Sequence, residues 1–117
     1  MATVWKSVDG SKYEFTPRTY ESAWTDVAGV YLFAAGLTNG DWNPLFIGQA
    51  DSFEHSIPNH EKWPWAMLLG ATHVLACAIV AQAKRVSVET EMIARLKPPL
   101  NGIAQGKPGD GTMLRRA

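Results

Sequence analysis

The sequence predicts an α+β fold: a small, mainly antiparallel sheet of three central strands flanked by helices, with a hairpin added at the N-terminus. Three observations carry that expectation. Three apolar runs of strand length, "AGVYLFAAG", "PLFIGQ" and "THVLACAIV", are separated by turn-forming or polar stretches. A helical periodicity runs from Gln82 to about Leu96 and stops at Lys97-Pro98-Pro99. The resulting order, strand pair, helices, strand, helix, suits one small sheet better than a series of alternating parallel units.

Taken in order, "TVWKSVDGSKYEF" alternates loosely around Asp9-Gly10, a turn pair suited to a hairpin at the edge of a larger sheet. "TPRTYESAWTDV" is polar and contains Pro17, which makes it a connector with at most a turn of helix. The runs at 28–36 and 44–49 are joined by "LTNGDWN", where Asn39-Gly40-Asp41 tolerates positive φ, so they form an antiparallel pair. After Gly48, "ADSFEHSI" suits a short helix begun near Asp51 and stopped before Pro58. "HEKWPWAMLLG" suits a second, ending at Gly70. "THVLACAIV" is continuous enough to be a central strand buried on both faces. The chain thus divides into an N-terminal hairpin and connector (1–27), a main domain (28–103) and a flexible tail (104–117), with no internal repeat.

At 117 residues, 46% of them hydrophobic, the chain has material for one domain with its own core. No apolar run reaches the roughly 18 residues of a membrane span, because "MLLGATHVLACAIVAQA" is interrupted by Gly70, Thr72 and His73. The first residues lack the layout of a signal peptide, so a soluble, cytoplasmic protein without membrane contact is expected. The single cysteine, Cys77, excludes an intrachain disulfide and reads as a small thiol packed in a strand. The formal net charge is zero, which argues against a strongly electrostatic nucleic-acid binder. Its distribution is uneven. Residues 1–81 hold four Lys/Arg against eight Asp/Glu, and residues 82–117 hold seven against three, so the C-terminal third is the region suited to phosphate.

The last helix contains a carboxylate on an apolar stripe. Val86, Met92, Ile93 and Leu96 share a face, and Glu89 lies three, four and seven residues before the last three of these. Glu91 and Arg95 point elsewhere. An unpaired buried carboxylate costs several kcal/mol, so Glu89 requires a cation, a hydrogen bond or water. Two readings stand: a boundary residue leaning on Arg85 one turn earlier, or a carboxylate at the rim of a cleft that binds a hard divalent ion.

Gly29-Val30-Tyr31, then Phe46-Ile47-Gly48, then Glu89 in "VETEMIARLKPPLN", together resemble the GIY-YIG nuclease domain. The resemblance covers roughly residues 28–103, and its most specific part is the spacing of Glu89 and Asn101. It implies a metal-assisted phosphodiester hydrolase acting on nucleic acid, DNA in the first instance. By resemblance, Glu89 holds a single Mg²⁺ or Mn²⁺, Tyr31 activates or orients the attacking water, Asn101 braces the site, and Gly29 and Gly48 are structural. One carboxylate suffices to tether an ion that keeps several waters. His60 matches a position where some members carry a catalytic histidine; a polar cap before the next helix is its other reading. His73 reads as structural, His55 as a surface residue, and Trp63 and Trp65 as apolar anchors around Pro64.

The pattern departs from the family at two side chains. Phe46 stands where a second tyrosine is usual, removing a hydroxyl. Ser56 stands where the family places an arginine that contacts the scissile phosphate, and loss of one such electrostatic donor costs roughly 10²- to 10³-fold in rate. His55 and Lys62 are the nearest basic candidates, the first pointing another way on a helix and the second lying beyond Pro58. Impaired cleavage is therefore expected. Two other functions stay open on the same fold: a non-catalytic nucleic-acid-binding module, and a protein-interaction domain suggested by neutral charge and five tryptophans.

Overall fold

The computed structural model describes residues 2–101. The expected tail from residue 104 lies outside them. The elements are β1 (Thr3–Lys6), β2 (Lys12–Arg18), β3 (Gly29–Gly36), β4 (Trp42–Ala50), α1 (Phe53–Ser56), α2 (Trp63–Leu68), β5 (His73–Ala78) and α3 (Gln82–Leu96). The fold is α+β, and its five strands form one antiparallel sheet in the order β1-β2-β5-β3-β4.

The hairpin is an integral part of that sheet. β2 pairs with β1 through Lys12–Phe15 and then with β5 through Thr16–Arg18. The polar stretch "TPR", expected to be connector, is therefore strand. Pro17 is tolerated because β1 ends opposite Phe15, leaving this part of β2 paired on one side only.

β3 lies between β5 and β4 with both faces covered, which is why "VYLFAA" is apolar at every position. Its period-2 alternation sends Val30 and Leu32 to one face and Tyr31 and Phe33 to the other. The first face packs on Val88, Met92 and Leu96 of α3, together with Trp5 and Phe15 from the hairpin. Tyr31 and Phe33 pack instead on Phe53, Ile57, Trp63 and Ala66 around α1 and α2.

Two expectations about burial need correction. β5 is buried at Val74 and Leu75 but opens progressively towards Ala78. Ala76 and Ala78 are too small to fill the space beneath Trp24 and Phe53, and a cavity of about 230 Å³ remains there. The buried stripe of α3 is Arg85, Val88, Met92 and Leu96 rather than one containing Val86. At about 100° per residue, Val86 is turned some 200° from Val88, and it is 44% exposed.

Candidate functional site

Tyr31 reaches the α1–α2 face of the sheet and is 4% exposed. Gly48 lies opposite it in register on β4, and a Cβ there would come within 2.5 Å of the Tyr31 hydroxyl oxygen. Glycine at 48 is thus required by the ring that covers it. At Gly29 a Cβ would run into the Cys77 carbonyl and the Phe53 ring, so α1 can approach β3 only over a glycine. Both glycines allow close contact at ordinary backbone angles.

His60 lies in the loop between α1 and α2. Its Nε2 is 2.8 Å from Tyr31 Oη, and its Nδ1 accepts the Lys62 backbone N–H at 3.0 Å. The second bond fixes the neutral tautomer with the proton on Nε2, so His60 donates to Tyr31. The phenolic proton of Tyr31 is left for a third partner. Burial pushes the His60 pKa down, with Lys62 adding to the shift and Glu61 opposing it. Burial also raises the Tyr31 pKa well above its ordinary value, and the negative charge of Glu89 pushes it further. Tyr31 is therefore a neutral hydrogen-bonding phenol in this arrangement.

Sequence inspection missed Tyr20. Its hydroxyl donates to the Ile57 carbonyl at 2.7 Å and accepts the His60 backbone N–H at 2.9 Å, and its ring stacks on Trp63 with centroids 4.2 Å apart. These contacts hold the loop that aims His60. An aromatic residue inside the polar stretch "TPRTYESAWTDV" was the available signal. Phe46, half-buried, packs edge-on to His60 at 5.2 Å and near Tyr31 at 6.2 Å, giving the pair an apolar wall.

Glu89 is half-buried on α3. Burial raises its pKa, and a backbone hydrogen bond from Gln49 opposes the rise. Of the two readings of Glu89, the lean on Arg85 is not what the fold adopts, because the Arg85 guanidinium is taken by other groups. It bonds Gln49 Oε1 at 3.1 Å, the carbonyls of Ile79 and Val80 at 3.3 and 2.7 Å, and Asp51 Oδ1 at 2.6 Å. Glu89 forms no ion pair among the described residues. No cluster of three or more His, Cys, Asp or Glu occurs among them either. A lone, half-buried carboxylate fits only an ion that keeps most of its waters.

The remaining predicted residues divide into those that meet this group and those that do not. Asn101 clamps β4 one residue before Gly48: its Oδ1 accepts the Ile47 N–H and its Nδ2 donates to the Ile47 carbonyl, both at 2.8 Å. Ser56 ends α1, half-buried, and no hydrogen bond joins its side chain to Tyr31 or His60. His55 is exposed and paired with Glu54 at 3.3 Å. His73 bonds Thr72 and packs on Trp42. Trp63 is buried as an anchor, whereas Trp65, expected to share that role, is 59% exposed. No helix among the described residues is long and apolar enough to cross a membrane.

Compared with family models, curated proteins and solved structures, the chain gives no match in any of the three.

Proposed function

We propose that this chain is a GIY-YIG-like phosphodiester hydrolase domain for nucleic acid, DNA in the first instance, with cleavage impaired by Ser56. The observation that carries the reading is the Tyr31–His60 hydrogen bond of 2.8 Å above Gly48, with Glu89 near enough to raise the tyrosine's pKa. On this reading β4-β3-β5 is the family's three-stranded core, and the β1–β2 hairpin is its local addition. Glu89 is the residue that would hold Mg²⁺ or Mn²⁺. When bound, such an ion stabilises charge developing on the phosphoryl and leaving oxygens. His60 donates a hydrogen bond to Tyr31 Oη, so that the Tyr31 hydroxyl keeps its own proton to donate towards a water or phosphate oxygen and orient it. His60 does not serve as a base here, since its Nδ1 is occupied by the Lys62 N–H and its Nε2 already carries a proton.

A plasmid-nicking assay with Mg²⁺ or Mn²⁺ tests this. The unmodified chain should nick slowly or not at all, and Ser56→Arg should raise the rate by roughly 10²- to 10³-fold. Glu89→Ala should abolish cleavage in both backgrounds. A folded Ser56→Arg protein that binds the ion and stays inert would overturn the reading. Salt-sensitive DNA binding by such an inert protein would establish the second reading, a non-catalytic nucleic-acid module, which the uncharged Ser56 favours.

A further inference from the structure

We propose that Arg85 forms a phosphate-binding site at the junction of β4, β5 and α3, occupied in the free protein by the carboxylate of Asp51. The inference deepens the nucleic-acid reading by naming the group that meets the phosphodiester. It rests on how the five guanidinium N–H groups are used. Nε and Nη1 are fixed by Gln49, Ile79 and Val80, three contacts that anchor the plane in the protein. Nη2 donates one of its two protons to Asp51, whose side chain is exposed.

The ion pair between Arg85 and Asp51 is lopsided. Arg85 is 4% exposed, while the Asp51 side chain is 91% exposed on the short segment between β4 and α1. A structural brace would hold both partners. Here the cation is buried and held by three further bonds, and the anion is almost wholly in water. A guanidinium fork anchored by protein groups on one side and covered on the other only by an exposed carboxylate is suited to an anion with several oxygens once that carboxylate is displaced. A phosphate can use both Nη2 protons, whereas the single short contact to Asp51 uses one.

The position is also apt. Gln49 bonds Arg85 through its side chain, and its backbone N–H offsets part of the rise that burial causes in the Glu89 pKa. Arg85 and Glu89 lie one turn apart on α3, about 5–6 Å between Cβ atoms. Gly48, beneath Tyr31, immediately precedes Gln49. A cation thus lies one turn from Glu89 on α3, although Ser56 on α1 provides none. Asp51 would lower affinity for phosphate until displaced.

Two measurements test the site on the whole chain. The first is the ¹⁵N NMR signal of Arg85 Nε during titration with inorganic phosphate at constant ionic strength, with chloride as control. Phosphate should shift it, and Asp51→Asn should lower the phosphate concentration at half-shift by roughly three- to tenfold. An unmoved signal in both proteins overturns the site. The second is binding of a short DNA duplex as a function of salt. Asp51→Asn should tighten binding by a similar factor, and Glu54→Gln, which removes another exposed carboxylate nearby, should do so by less than twofold. Arg85→Lys, checked for folding by circular dichroism, should weaken binding while keeping the charge, since it loses the fork. Equal effects of Asp51→Asn and Glu54→Gln would reduce the matter to general charge and overturn the proposal. Phosphate-induced shifts without DNA binding would uphold the site and overturn the nucleic-acid reading; DNA binding indifferent to Asp51 would do the reverse.

Discussion

A methyl group added at residue 48 would meet the Tyr31 hydroxyl oxygen at 2.5 Å, and the ring has no free direction, being packed among Phe33, Phe46 and Phe53. Gly48→Ala should therefore displace Tyr31, break its bond to His60 and lower stability by about 1–3 kcal/mol in urea unfolding. At His60, burial makes the imidazole harder to protonate in the fold than in the unfolded chain, where its ordinary value is 6.5. Below that pH the unfolded state binds the proton more readily, so stability falls as pH falls. The loss should be a fraction of the ~1.4 kcal/mol per pH unit that one proton allows, because the ring is partly exposed. Tm measured between pH 7.5 and 5.5 should fall less steeply in His60→Gln. Glu89 has the opposite sign. Its pKa is raised from 4.5, so the unfolded state releases the proton first and stability falls as pH rises through the folded value. Glu89→Gln should raise Tm at pH 7 in the absence of divalent ions while removing cleavage. A decrease in Tm would mean that the carboxylate is a structural partner instead.

At the scale of elements, β4 and its covering segment depend on one side chain. β4 is an edge strand, and an open edge is a hazard that proteins cover. Leu100 N–H bonds the Leu45 carbonyl, and the Asn101 amide then pairs with both backbone groups of Ile47, imitating a sixth strand for two contacts. Asn101→Ala should cost about 1–3 kcal/mol and accelerate amide exchange at Ile47 N–H, with little change at Leu32, which pairs with Ile47 across β3. For Asn101 the family resemblance implied a bracing role, and nothing in the sequence named its partner. The same limit applies to α3. Periodicity located the helix and put Glu89 near the boundary, yet it selected Val86 for the buried face and did not admit Arg85. A hydrophobic pattern ranks arginine as a surface residue. Arg85 is buried because carbonyls at the end of β5 and side chains after Gly48 converge on it, contacts 34–36 residues away in the case of Asp51 and Gln49.

At the scale of the molecule, the question is whether the hairpin and the remainder behave as one cooperative unit. Alternation around Asp9-Gly10 revealed the hairpin, and the apolar runs revealed β3, β4 and β5. Their assembly was not legible, since nothing local in "TPRTYESAWTDV" states that its first residues pair with β5 or that Tyr20 bonds the loop of His60. Glu91 makes the long-range connection. Although 84–86 residues separate it from them, its carboxylate accepts from Trp5 Nε1 at 2.9 Å and Ser7 Oγ at 3.0 Å, and the Val8 N–H adds a third bond at 3.2 Å. Arg95 lies 4.6 Å over the Trp5 ring and pairs with Glu91 at 3.7 Å. Trp5 and Phe15 also sit in the same core cluster as Val88, Met92 and Leu96. Charge-assisted bonds of this kind contribute about 1.5–3 kcal/mol each in partly buried settings, and they do not add simply when they share one acceptor. Glu91→Ala should therefore destabilise the protein by about 2–4 kcal/mol, more than Glu91→Gln, which retains one acceptor oxygen. Because hairpin, sheet and α3 share a core, tryptophan fluorescence and far-UV circular dichroism should still give a single coincident transition for the unmodified chain. Separate transitions there would show that the hairpin docks on an independently stable domain, and that residues 19–101, which include Tyr20, carry the candidate site without it.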